Sequence, residues 1–126
     1  MYEWLPDVNW VGFYLLKDGE LRLGPFQGRP ACVRIAVGSG VCGTAVAKGR
    51  TQVVPDVHAF PGHIACDPAS RSEIVVPIRD EGGTVQAVLD IDSPNAGRFD
   101  DEDRVGLEAL VAAFAPHVDW ERARQT

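Results

Sequence analysis

The stretch Val85-Gln86-Ala87-Val88-Leu89-Asp90-Ile91-Asp92 alternates aliphatic and acidic side chains in a way that suits a strand with two different faces. Successive side chains of a strand point to opposite sides. Val85, Ala87, Leu89 and Ile91 therefore share one face, and Val88, Asp90 and Asp92 share the other. The acidic face is either an ordinary solvated side or part of a site, and this strand alone leaves both readings open. The same rule in residues 9–16 sets Trp10, Gly12 and Tyr14 opposite Val11, Phe13 and Leu15. In residues 72–78 it sets Glu73, Val75 and Pro77 opposite Ile74, Val76 and Ile78. Each strand has an aliphatic face suited to a helix-covered core. The reverse faces offer carboxylates and aromatic rings, the means of holding a small polar ligand with an apolar part.

Outward from these strands, Lys17-Asp18-Gly19 is a hairpin turn signal leading into a second strand over 20–26. A third strand is predicted over 31–37, with Cys32, Arg34 and Ala36 on one face and Val33, Ile35 and Val37 on the other. Gly38-Ser39-Gly40 breaks the strand pattern, and Ser39 is expected to cap a short helix over 41–48 that Gly49 stops. A short strand over 51–54 leads into an irregular segment, 55–71, that carries His58, His63 and Cys66. A connection of that length in a compact domain reads as a functional loop. Asp80-Glu81-Gly82-Gly83 is a turn between strands over 72–78 and 84–93. The last helix starts after Phe99 with Asp100 as its cap, and Leu107, Leu110, Val111, Phe114 and Val118 recur at helical spacing. Pro116 predicts a break near Phe114. This order is an α+β fold, a mainly antiparallel central sheet with helix packed on one face, forming a single domain over 1–126.

Eighteen acidic residues against twelve basic ones give a net charge of -6, and the basic residues are scattered singly, which argues against nucleic acid. The acidic run Asp100-Asp101-Glu102-Asp103 reads as the first turn of a helix, where negative charge offsets the dipole. No run nears the roughly 18 apolar residues of a membrane span. The first residues lack a signal peptide's basic start and apolar core, so the expected location is the cytoplasm, with no membrane partner. Three cysteines, Cys32, Cys42 and Cys66, are too few for a secreted disulfide scaffold.

Cys42 falls near the third position of the short helix, where free N–H groups and the dipole are expected to lower its pKa; the competing reading is an inert residue packed under the sheet. Cys66 lies in the long loop beside Asp67, which discourages ionisation, and Cys32 reads first as core packing. Cys32, Cys42, Cys66, His58 and His63 lack the close ligand pairs of a structural zinc site, so no metal is expected. His117 reads as a surface or boundary residue. No dinucleotide, P-loop or nucleophile-elbow pattern is present.

Seven segments together resemble the free methionine-(R)-sulfoxide reductases, which are single GAF-domain enzymes. They are Asn9-Trp10-Val11-Gly12-Phe13-Tyr14, Gly24-Pro25-Phe26-Gln27-Gly28, Gly40-Val41-Cys42-Gly43-Thr44-Ala45, Pro55-Asp56-Val57-His58, Pro61-Gly62-His63-Ile64-Ala65-Cys66-Asp67, Ser72-Glu73-Ile74-Val75-Val76-Pro77 and Leu89-Asp90-Ile91-Asp92-Ser93-Pro94. The likeness runs from about Leu5 to the last helix. It implies a GAF-like fold with a ligand pocket under loops on the face away from the helix. It also implies reduction of free methionine-R-sulfoxide to methionine without a bound cofactor, with electrons from thioredoxin.

In that picture Cys66 matches the cysteine that attacks the sulfoxide sulfur and becomes a sulfenic acid, and Cys32 matches the resolving cysteine. Cys42 matches a third motif cysteine, and an assignment giving it the attacking role stays open. Trp10, Tyr14, Glu73, Asp90 and Asp92 match residues that line the substrate pocket. The family carries one or two helices before its first strand, whereas this chain starts almost at that strand. An aliphatic patch left uncovered there would favour either self-association, for which a homodimer is one form, or instability. The alternative is a GAF module that senses a small molecule, with structural or redox-sensing cysteines.

Overall fold

The computed structural model describes residues 7–28, 32–60 and 70–123. Its strands are β1 (Trp10–Lys17), β2 (Glu20–Gly28), β3 (Arg34–Ala36), β4 (Gln52–Val54), β5 (Ser72–Arg79) and β6 (Val85–Ser93). They form one sheet in the order β3-β2-β1-β6-β5-β4, and every neighbouring pair is antiparallel. The helices are α1 (Gly40–Lys48), α2 (Asp101–Phe114) and α3 (Trp120–Ala123). Among the described residues no helix is long and apolar enough to cross a membrane.

Local chemistry explains the boundaries. Asp18 and Gly19 both have positive φ, 53° and 79°, as a two-residue hairpin turn of matching twist requires. At the β5–β6 turn the Asp80 carboxylate accepts from the backbone N–H groups of Gly82 and Thr84, each at 3.0 Å, and from the Gln86 amide at 2.8 Å. Gly49 ends α1 in the left-handed conformation. Ser39 is the cap residue of α1, but its side chain makes no capping hydrogen bond. Asp100 does cap α2. Its carboxylate accepts from the Asp103 backbone N–H, and the Asp103 carboxylate accepts from the Asp100 N–H in return.

The sheet divides two cores as the alternation requires. Ile74, Val76, Ile78, Ala87, Leu89 and Ile91 pack under α2 with Val111 and Ala115. Trp10, Tyr14, Val75 and Val88 lie on the reverse face and pack with Val41, Cys42 and Ala45 of α1. Each fully buried aliphatic side chain contributes about 1.5–3 kcal/mol.

Two expectations need correction. Leu110 is exposed, because the face of α2 toward the sheet is centred on buried Val111, with Leu107 and Phe114 partly buried beside it. β3 has three residues rather than seven and is an edge strand paired only with β2; Ile35 is buried there, while Val33 and Val37 are exposed. Pro116 does interrupt the last helix, in a 3-10 turn over Ala115–His117, and α3 follows as a separate short helix.

Candidate active site

The register of three central strands assembles the site. Trp10 pairs with Asp92, and Asp92 pairs with Glu73, so these side chains form one row across β1, β6 and β5. The next same-face row is Gly12, Asp90 and Val75, and the third is Tyr14, Val88 and Pro77. Adjacent strands lie about 4.8 Å apart and alternate residues about 7 Å apart, so three carboxyl groups fall within one patch. All three are buried, with Glu73, Asp90 and Asp92 each less than a tenth exposed. The solvated-face reading of β6 therefore fails. α1 crosses this patch and points Cys42 into it, with Sγ 3.9 Å from Glu73 Oε2.

Trp10 forms one wall. Its ring stacks on Tyr14 at 5.9 Å between centroids and on Phe26 at 5.7 Å. Gly12 makes this possible, because a Cβ there would collide with the indole and with Phe26 Cβ. The Tyr14 hydroxyl donates to the backbone carbonyl of Cys32 at 2.9 Å, tying the Cys32 segment to the site. Burial, then the charges of Asp90, Cys42, Asp92 and Glu73, push the Tyr14 phenol up, so it stays protonated at any ordinary pH.

Burial dominates the ionisation of the cluster. It is the largest cause raising Glu73, followed by the charge of Asp90. It also raises Asp90 well above the carboxylate range, followed by the charge of Asp92. Carboxyl groups crowded in a dry place disfavour one another's ionisation, so they hold their protons to higher pH than exposed ones do. Cys42 corrects the helix-terminus expectation. It is the third residue of α1 as predicted, yet burial and then Asp90, Glu73 and Asp92 hold its thiol well above the usual value. A helix N-terminus contributes about 0.3–1 kcal/mol to an exposed anion. Desolvating a thiolate against carboxylates costs several kcal/mol, and that effect wins.

The structure thus brings together Trp10, Tyr14, Cys42, Glu73, Asp90 and Asp92. Cys32 packs against the same core and is disulfide-bonded, whereas Cys42 is a free thiol. Cys66 and His63 lie outside the described residues. His58 is exposed on a 3-10 turn over Val57–Ala59, where its backbone N–H donates to the Asp56 carboxylate. His117 is exposed, as its sequence position suggested. Phe26 and Gly12 take part although sequence reasoning gave them no role. The signal was the Trp10, Gly12, Tyr14 alternation, with its smallest residue between two large rings.

Comparison with known proteins agrees with this geometry. The GAF domain family model matches residues 3–119. The free methionine-R-sulfoxide reductase of Escherichia coli is 62% identical over 112 residues, covering 89% of this chain and 67% of that protein. The fRMsr of Staphylococcus aureus, solved in complex with substrate, superposes with a TM-score of 0.82 at 60% identity, covering 87% of this chain and 71% of that one. The free methionine-R-sulfoxide reductase of Neisseria meningitidis, also solved with its substrate, gives 0.85 at 49% identity over 94% and 70% of the two chains. A buried thiol and three carboxyl groups under a tryptophan, on a sheet of this order, thus come with high identity along most of the chain, which belongs to the free methionine-R-sulfoxide reductase family of GAF-domain proteins.

Proposed function

We propose that this chain reduces free methionine-R-sulfoxide to methionine through cysteine chemistry. The observation that carries the reading is the buried meeting of Glu73, Asp90 and Asp92 beside Trp10, where burial and crowding raise the pKa values of Glu73 and Asp90. A sulfoxide oxygen needs a proton donor as its bond to sulfur breaks, and a neutral carboxylic acid is one. Glu73 and Asp90 take that role, while Asp92 accepts the substrate ammonium and Trp10 packs on the methyl and the electron-poor sulfur.

Cys66 attacks the sulfur. The oxygen passes from the sulfoxide to that cysteine, giving methionine and a sulfenic acid, a two-electron oxidation of the thiol. Cys32 then condenses with the sulfenic acid, forming a disulfide and releasing water. A thioredoxin dithiol reduces that disulfide and returns both cysteines to thiols. The disulfide-bonded state of Cys32 supports its place as the resolving residue. The high pKa of Cys42 supports giving the attacking role to another cysteine. No bound cofactor enters this cycle, which suits a reducing cytoplasm.

The test follows NADPH loss with free methionine-R-sulfoxide, thioredoxin and thioredoxin reductase. Turnover is expected. Its absence in folded protein that still binds methionine sulfoxide would favour a sensing GAF module. Cys66→Ser should abolish single-turnover methionine formation, and Cys32→Ser should spare the first turnover while blocking recycling. Loss of that first turnover in Cys42→Ser, with Cys66→Ser active, would overturn the assignment of the nucleophile.

A further inference from the structure

The cluster also has the make-up of a cation site. Cys42 Sγ, a Glu73 carboxylate oxygen and an Asp90 carboxylate oxygen all lie within 4.8 Å of one another, and all three residues are buried. Tetrahedral zinc takes sulfur at about 2.3 Å and carboxylate oxygen at about 2.0–2.2 Å, which sets neighbouring sulfur and oxygen ligands about 3.6 Å apart. The observed Cys42 to Glu73 separation is 3.9 Å, so that pair needs to close by a few tenths of an ångström, and the Asp90 oxygen lies within 4.8 Å of both.

A second observation is independent of that spacing. Asp90 Oδ1 is buried and has no hydrogen-bond partner. The Asp90 carboxyl faces Cys42 and Glu73, and the residue is 5% exposed. A buried acceptor without a donor is costly, and a cation between it and a thiolate removes the cost.

We propose that Cys42, Glu73 and Asp90 bind one thiophilic divalent cation of the zinc class, with a fourth position left for water. On binding, Cys42 releases its thiol proton and the carboxyl groups release any they hold; no electron moves, so the step is ligation alone. Two positive charges then stand against three negative ones in place of shared protons. Because the same carboxyl groups serve the proposed sulfoxide chemistry, the bound cation blocks that reaction, a consequence that rests on the functional reading above.

The probe is cobalt(II), titrated into folded protein in the state where Cys32 is disulfide-bonded and Cys42 is free. One equivalent should bind with an intense thiolate-to-cobalt charge-transfer band, and zinc should displace it. Cys42→Ala should remove the band. Asp90→Asn, which keeps the side-chain shape, should weaken binding about tenfold or more, with circular dichroism showing both variants folded. Absence of the band, or an equal band in folded Cys42→Ala, overturns the proposal. Turnover of metal-free protein is measured separately, so a failed reductase reading shows as inactivity with the cobalt band intact.

Discussion

Replacing Gly12 with alanine adds a single methyl group to the centre of β1, and the structure determines the sign of the effect. The Gly12 backbone is not in the left-handed region, so an L-residue is conformationally allowed. Propensity alone predicts that alanine stabilises a strand interior by roughly 0.5–1 kcal/mol over glycine. Packing predicts the opposite. The new Cβ would collide with the Trp10 ring and with Phe26 Cβ. Trp10 is 1% exposed and stacked between Tyr14 and Phe26, so the ring has nowhere to move. Overpacking of this kind costs about 1–3 kcal/mol, which outweighs the propensity gain. With an unfolding entropy of about 2.1 cal/mol/K per residue, the 126-residue chain should lose ~4 °C of Tm per kcal/mol. Urea unfolding followed by tryptophan fluorescence measures the loss. Displacement of Trp10 should raise KM for the sulfoxide in the coupled assay. A Gly12→Ala protein as stable as the parent, with KM unchanged, would refute the packing argument.

Asp90→Asn should change how stability depends on pH. Burial and then Asp92 raise the folded pKa of Asp90, so the folded state binds this proton more tightly than the unfolded state. Its stabilising contribution is full below the ordinary carboxylate pKa, near 4, and is lost as pH rises through the folded value. The variant should therefore gain Tm relative to the parent as pH rises from about 4.5 to 8; a difference that is constant or shrinks over that range would contradict the assignment. Asp100→Ala removes one half of the reciprocal cap on α2 and should cost about 1 kcal/mol in urea unfolding, with kcat unchanged because Asp100 lies outside the site.

Much of this was legible in the chain because it depends on spacing along one strand or at one helix end. The two-faced strands, the Asp18-Gly19 turn, the Asp100 cap and the Pro116 break are local, set by side-chain alternation, backbone sterics and hydrogen bonds within a few residues. Local spacing misplaced Leu110, because helical periodicity identifies a stripe but not its edges.

The ionisation of the site was beyond such reasoning. The position of Cys42 on α1 pointed to a helix dipole and a lowered pKa, while the fold buries the thiol against Glu73 and Asp90. The sequence by itself determined which faces the carboxylates and rings occupy. Only the tertiary structure decided that Trp10, Asp92 and Glu73 share one row and that α1 closes over them. The physical reason is that strand register and helix docking are long-range choices, and they exclude the water that otherwise governs whether an acid keeps its proton.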